Sequence, residues 1–141
     1  MLFRSVVFFP ATASTSVGSG VTLDIHAMDV DSIAGSHNQV SYNKTKLSLL
    51  SLSQGSFYDG APEMLFYYED DTDLGLIDIY SGFLGVDSAF VSGTGQLASM
   101  VFTTISAGVS IVAFTDASEF VDPLDNSIEI LGYGISEVVA E

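Results

Sequence analysis

The chain of 141 residues contains no cysteine, and that absence removes disulfides, thiolate zinc sites and cysteine nucleophiles together. Basic residues are nearly as scarce: Arg4, Lys44 and Lys46 stand against 18 aspartates and glutamates, for a formal charge of -15. Three cations cannot neutralise a phosphate track, so nucleic-acid binding is excluded on charge, and anionic membrane surfaces are disfavoured likewise. Histidine occurs only as His26 and His37, so a histidine-rich metal site or a conventional serine triad would need one of them at its centre. No apolar run approaches the roughly 20 residues that span a bilayer as a helix, so no transmembrane helix is expected. Charged residues reach 15% and hydrophobic ones 48%, the reverse of a disordered composition.

The length suits one domain over residues 1–141, with a single core sufficient for stability. No linker, charge block or internal repeat divides the chain. Val, Ile, Phe, Tyr, Thr and Ser dominate, and Gly/Ser/Asp clusters recur at short intervals, which is the punctuation of an all-β protein. Val21, Leu23 and Ile25 alternate with Thr22, Asp24 and His26 as in a half-buried strand. Further strands are expected at 6–9, 39–42, 47–52 (more heavily buried), 64–68, 74–80, 97–103, 109–114 and 127–135. Ser92-Gly93-Thr94-Gly95 reads as a connector before one of them. About nine short strands with little or no helix predict an antiparallel β-sandwich. The start, with one positive charge, a short apolar run and Ala11-Thr12-Ala13, fits a first strand or the remnant of a signal peptide.

Four segments carry a resemblance. Ser41-Tyr42-Asn43-Lys44-Thr45-Lys46-Leu47 is similar to the S-Y-D-P-x-x-L turn of cohesin domains. Val91 to Phe102 resembles that family's G-x-G-x-L-A-x-I-x-F strand, and Gly108 to Ile111 follows as a Gly-Val-Ser-Ile strand. The Asp-rich turn Asp122-Pro123-Leu124-Asp125-Asn126 then precedes Ile128-Glu129-Ile130, in the family's order. The resemblance implies a nine-stranded jelly-roll sandwich with no catalytic site, built into extracellular scaffolds and receiving a dockerin on one sheet face. That face includes the strand before the first turn, here His37, Gln39 and Ser41, to which Tyr67 is added as a candidate contact. The chain departs from the pattern in having Asn43 for Asp, Lys44 for Pro, and Ser36 and Asn38 at inward positions that usually hold large apolar residues.

Among chemically suggestive stretches, Glu69, Asp70, Asp71 and Asp73 crowd carboxylates that a Ca²⁺ ion would relieve, although the spacing is not that of an EF-hand. A solvated acidic turn explains the same residues, as ordinary turn chemistry explains Asp122, Asp125 and Asn126. Paired carboxylates could serve a glycoside hydrolase, but neighbours on a turn do not supply its fixed separation across a cleft. No GxSxG, HExxH or phosphate-cradling loop is present. Tyr67 and Tyr68 follow Phe66, and exposed rings on a sheet could stack on polysaccharide, though alternation assigns half of such a pair to the core. Asn43-Lys44-Thr45 is a glycosylation sequon on an expected turn.

Mean hydropathy is +0.43, and apolar residues at 1–9 and 131–139 exceed what alternating strands need. With few charges to protect strand edges, these terminal segments could add to neighbouring copies as a filament or surface layer, or form the first and last strands of their own sandwich. The expectation is therefore a non-catalytic, extracellular or cell-surface module. Its partner would be a dockerin-like protein or further copies of itself, with polysaccharide as the alternative.

Overall fold

The computed structural model describes residues 4–59, 64–83 and 90–141, so the first three residues of the leader-like start lie outside the description. Thirteen strand segments follow in chain order: β1 (Ser5–Phe9), β2 (Thr12–Thr15), β3 (Gly20–Ile33), β4 (Gly35–Ser41), β5 (Leu47–Gln54), β6 (Met64–Asp71) and β7 (Leu76–Phe83). Then come β8 (Val91–Thr104), β9 (Gly108–Phe114), β10 (Glu119–Val121), β11 (Ser127–Ile128), β12 (Gly132–Tyr133) and β13 (Ile135–Ala140). Among the described residues there is no helix, and so none long and apolar enough to cross a membrane.

Two sheets pack face to face. One has the order β12-β1-β3-β8-β5; the other runs β11-β10-β4-β9-β13-β2, with β7 on the free edge of β4 and β6 outside β7. Pairing is mostly antiparallel, as expected of the sandwich, with two parallel pairs added: β1 with β12 and β2 with β13. Pro10 has no N–H to donate to a ladder, and beside it the first strand ends, its continuation crossing to the opposite sheet as β2. Alternation then fills the interior. Val6, Phe8, Leu23, Ile25, Met100 and Phe102 come from one sheet, and Val40, Ile77, Ile79, Val112 and Val138 from the other. Phe8 and Phe114 stack across the gap at 4.2 Å, tying the layers together.

Several expected strands are redrawn. The segment 127–135 is not one strand but β11, β12 and the start of β13, and the closing strand lies later, at Ile135–Ala140. The strand expected at 74–80 begins at Leu76 and continues to Phe83, leaving Leu74 exposed on the turn. Ser92-Gly93-Thr94-Gly95 is not a connector: it belongs to β8, where Gly95 lies so close to Phe57 that a Cβ would sit 2.2 Å from the ring. β5 is only half-buried, because a bulge between Leu49 and Ser51 turns Leu50 outward to 69% exposure. The terminal strands are not spare either. β1 is held by β3 and β12, and β13 by β9 and β2, so among the described residues both segments have partners within the chain's own sheets, as the alternative of first and last strands expects.

Candidate functional site

The outer face of the second sheet is built row by row from three adjacent strands. In β4 the residues Ser36, Asn38 and Val40 point inward and are buried, which turns His37, Gln39 and Ser41 outward. The inward Ser36 and Asn38 expected from the sequence are found there. β7 pairs with β4 so that Tyr80 stands beside His37, Asp78 beside Gln39, and Leu76 beside Ser41. β6 extends each row: Tyr67 beside Tyr80, Glu69 beside Asp78, Asp71 beside Leu76.

The first row is a stack of rings. His37 and Tyr80 lie 4.4 Å apart and nearly parallel, and Tyr67 continues the stack 6.2 Å from Tyr80. The second row is a polar relay in which the Asp78 carboxylate meets His37 Nε2 at 2.7 Å and accepts from Gln39 Nε2 at 3.0 Å. Gln39 Oε1 in turn accepts from the Thr115 hydroxyl at 2.7 Å. These bonds link the side chains of His37, Asp78, Gln39 and Thr115 and fix their relative orientation. Tyr67 donates to Glu69, and that hydrogen bond, with lesser contributions from partial burial and the Glu69 charge, raises the Tyr67 phenol above its ordinary pKa. Further along the sheet, Val109 and Ile111 of β9 face solvent and give the surface an apolar flank.

Of the residues singled out from the sequence, His37, Gln39 and Tyr67 are thus brought together, and Ser41 shares their face two rows along. Asp78 and Tyr80 were missed. Period-two alternation already put Asp78 with Tyr80, but nothing local states that their strand lies against β4. Tyr68, for which core burial was open, is exposed along with Tyr67, because β6 is the outermost strand of its sheet.

The acidic run is dispersed rather than gathered. Asp70 faces the opposite way from Glu69 and Asp71 and accepts from the Tyr42 hydroxyl at 2.7 Å. Asp71 caps its own turn, accepting from the backbone N–H of Asp73 and Leu74. Among the described residues no three carboxylates or imidazoles converge where one metal ion could sit. Asn43 is exposed, and its Oδ1 accepts from the backbone N–H and hydroxyl of Thr45. His26 is half-buried, edge-on to Phe9 at 4.9 Å.

A two-sheet sandwich with this strand order has the architecture of a cohesin-like domain. A type II cohesin from the cellulosome of Acetivibrio cellulolyticus superposes with a TM-score of 0.80 at 15% identity, covering 94% of each chain. A non-cellulosomal cohesin from the archaeon Archaeoglobus fulgidus gives 0.74 at 20% identity over 96% of this chain and 92% of that one. The cohesin of a type I cohesin–dockerin complex from Clostridium thermocellum gives 0.77 at 16% identity over 97% and 94%. No family model and no curated protein matches the sequence. The likeness is one of fold, and the fold is cohesin-like.

Proposed function

We propose that this chain is a non-catalytic protein-interaction module, extracellular or at a cell surface, that receives a dockerin-like partner on the outer face of β4, β7 and β6. The observation that carries this reading is the array described above: a row of aromatic rings and a fixed carboxylate–amide relay on one side of the sheet, with Val109 and Ile111 of β9 as an apolar flank. Interfaces of this kind bind through a few aromatic and charge-paired anchors surrounded by neutral contacts. The cohesin-like fold supports the same assignment, because one structurally similar cohesin is found bound to a dockerin.

The test is titration of the chain against a panel of purified dockerin modules by calorimetry. Binding by at least one is expected, with Tyr67→Ala and Asp78→Asn each weakening it about tenfold, the scale of an interface anchor. Absence of binding across the panel, or indifference to both substitutions, would overturn the reading. Oligosaccharides titrated into the same preparation test whether Tyr67, Tyr68 and Tyr80 take polysaccharide instead.

A second reading, self-assembly, has one specific observation behind it. β5 pairs only with β8, and its sequence from Leu47 to Gln54 contains no charged residue and no proline, the devices that usually protect an open edge. If copies associate, they would do so by strand addition at β5. Size-exclusion chromatography showing oligomers that Leu50→Lys converts to monomers would support it, and monomers at high concentration would remove it.

A further inference from the structure

A fourth row adjoins the three, and its centre has no side chains. Leu65 of β6 stands beside Gly82 of β7, Gly82 beside Gly35 of β4, and Gly35 beside Val121 of β10. The two adjacent glycines and the two apolar residues beside them line a recess of about 440 Å³ in the sheet face. Its inner wall is the His37–Tyr80 row; its outer wall is the turn that follows β10, with Pro123 facing in. Phe83 completes the apolar lining, and the acidic residues Glu119, Asp122 and Asp125 also border the recess, Glu119 standing beside His37 and accepting from the Ser127 hydroxyl at 2.7 Å.

That turn is rigid. The Asp122 carboxylate accepts from the backbone N–H of Leu124 at 2.9 Å and of Asn126 at 2.8 Å, and Asp125 adopts a left-handed φ of 68°. The Asn126 N–H foremost holds the Asp122 carboxyl below its ordinary value, so it stays ionised. This is the wrong direction for the general acid of a glycosidase, which needs a raised value. The protein's own cations are directed elsewhere. Arg4 donates to Glu129 O, Lys44 to Asp73 O and Lys46 to Val109 O, all backbone carbonyls. Among the described residues no lysine or arginine pairs with a carboxylate. The recess is also not a metal site, since no three ligands converge among the described residues. Its chemistry, an apolar trough bordered by acidic residues, is complementary to a cation carried on a long aliphatic stem.

We propose that this recess is a specificity pocket for a lysine or arginine side chain of the partner protein. The methylene stem would lie over Gly82 and Gly35 against Leu65 and Val121, and the charged head would reach toward Glu119, Asp122 and Asp125. The inference rests on the reading of the sheet face as a protein-binding surface and adds to it that the partner presents a basic residue at that end.

The test uses short capped peptides rather than an unknown partner. The isotope-labelled chain is titrated by NMR with acetyl-Gly-Arg-Gly-amide and its lysine counterpart, and separately with the citrulline and norleucine versions, which keep the stem and remove the charge. The expected result is saturable shifts of the amides of Gly35, Gly82, Glu119 and Asp125 with the two cationic peptides. Their half-saturation should lie about threefold or more below that of the neutral ones, the scale of a partly exposed charge pair. Glu119→Gln and Asp125→Asn should each erase most of that difference. Equal response to citrulline, no saturable shift, or shifts centred on another surface would overturn the pocket. The dockerin panel is an independent arm: a bound dockerin with no peptide effect removes the pocket and keeps the face, and the converse removes the dockerin reading and keeps the pocket.

Discussion

Asn38 is the residue whose position is hardest to justify by stability alone. It is 1% exposed on the inward side of β4, and neither its amide nitrogen nor its amide oxygen has a hydrogen-bond partner. An unpaired buried amide costs about 1–3 kcal/mol, whereas an apolar side chain of similar volume there would join the core. Asn38→Leu is therefore expected to raise stability by about 1–2 kcal/mol in urea unfolding, and a loss of that size would show that the amide is satisfied. Two tyrosines set the alkaline limit. Burial pushes the Tyr58 phenol up to about 12, despite the bond it donates to Ser36, and burial followed by the bond to Asp70 raises Tyr42 as well. A raised folded-state value favours the neutral phenol. Its contribution is whole below pH 10, the ordinary tyrosine value, and drains as pH climbs through the raised one. Melting followed from pH 9 to about 12 should fall steeply in the wild type and less steeply in Tyr58→Phe; parallel slopes would contradict the assignment.

At the scale of elements, the strands that carry the face depend on close approach as well as on alternation. A Cβ on Gly82 would lie 2.6 Å from the Ala34 carbonyl oxygen and 2.8 Å from the Gly35 Cα, both backbone atoms of the approach to β4 and of β4 itself. Gly82→Ala must push β7 away from β4, and we expect a loss of about 1–3 kcal/mol in unfolding free energy. An unchanged melt would mean that the strands are looser than described. The acidic turn between β6 and β7 leads to the opposite kind of expectation. Because Asp70 and Asp71 are each committed to a donor within the protein, EDTA and millimolar calcium should leave the melting temperature unchanged, whereas a clear calcium-dependent rise would restore a metal site there. Much of this level was legible in the sequence. The parity of His37, Gln39 and Ser41 follows from alternation alone, as does the pairing of Asp78 with Tyr80 on one side of their strand. What could not be read was which strand lies beside which, since His37 meets Asp78 across 41 residues of chain. The break of 127–135 into three pieces was hidden for a related reason: β12 owes its existence to a parallel partner, β1, at the far end of the sequence.

The molecule as a whole is a two-layer sandwich whose excess negative charge is almost unrelieved from within. With 18 acidic residues and three basic ones, its field would favour encounter with a basic partner over an acidic one. Complex formation should slow as salt rises from low to physiological ionic strength, with the change mainly in the association rate; a salt-independent rate would mean that the charge plays no part in encounter. The central claim, that the β6–β7–β4 face is the contact surface, is tested most directly by hydrogen exchange of the chain with and without a dockerin that binds it. Slowed exchange confined to β4, β6, β7 and the β10 turn is the expected pattern. Protection centred on β3, β8 or the edge of β5, with that face unchanged, would contradict it.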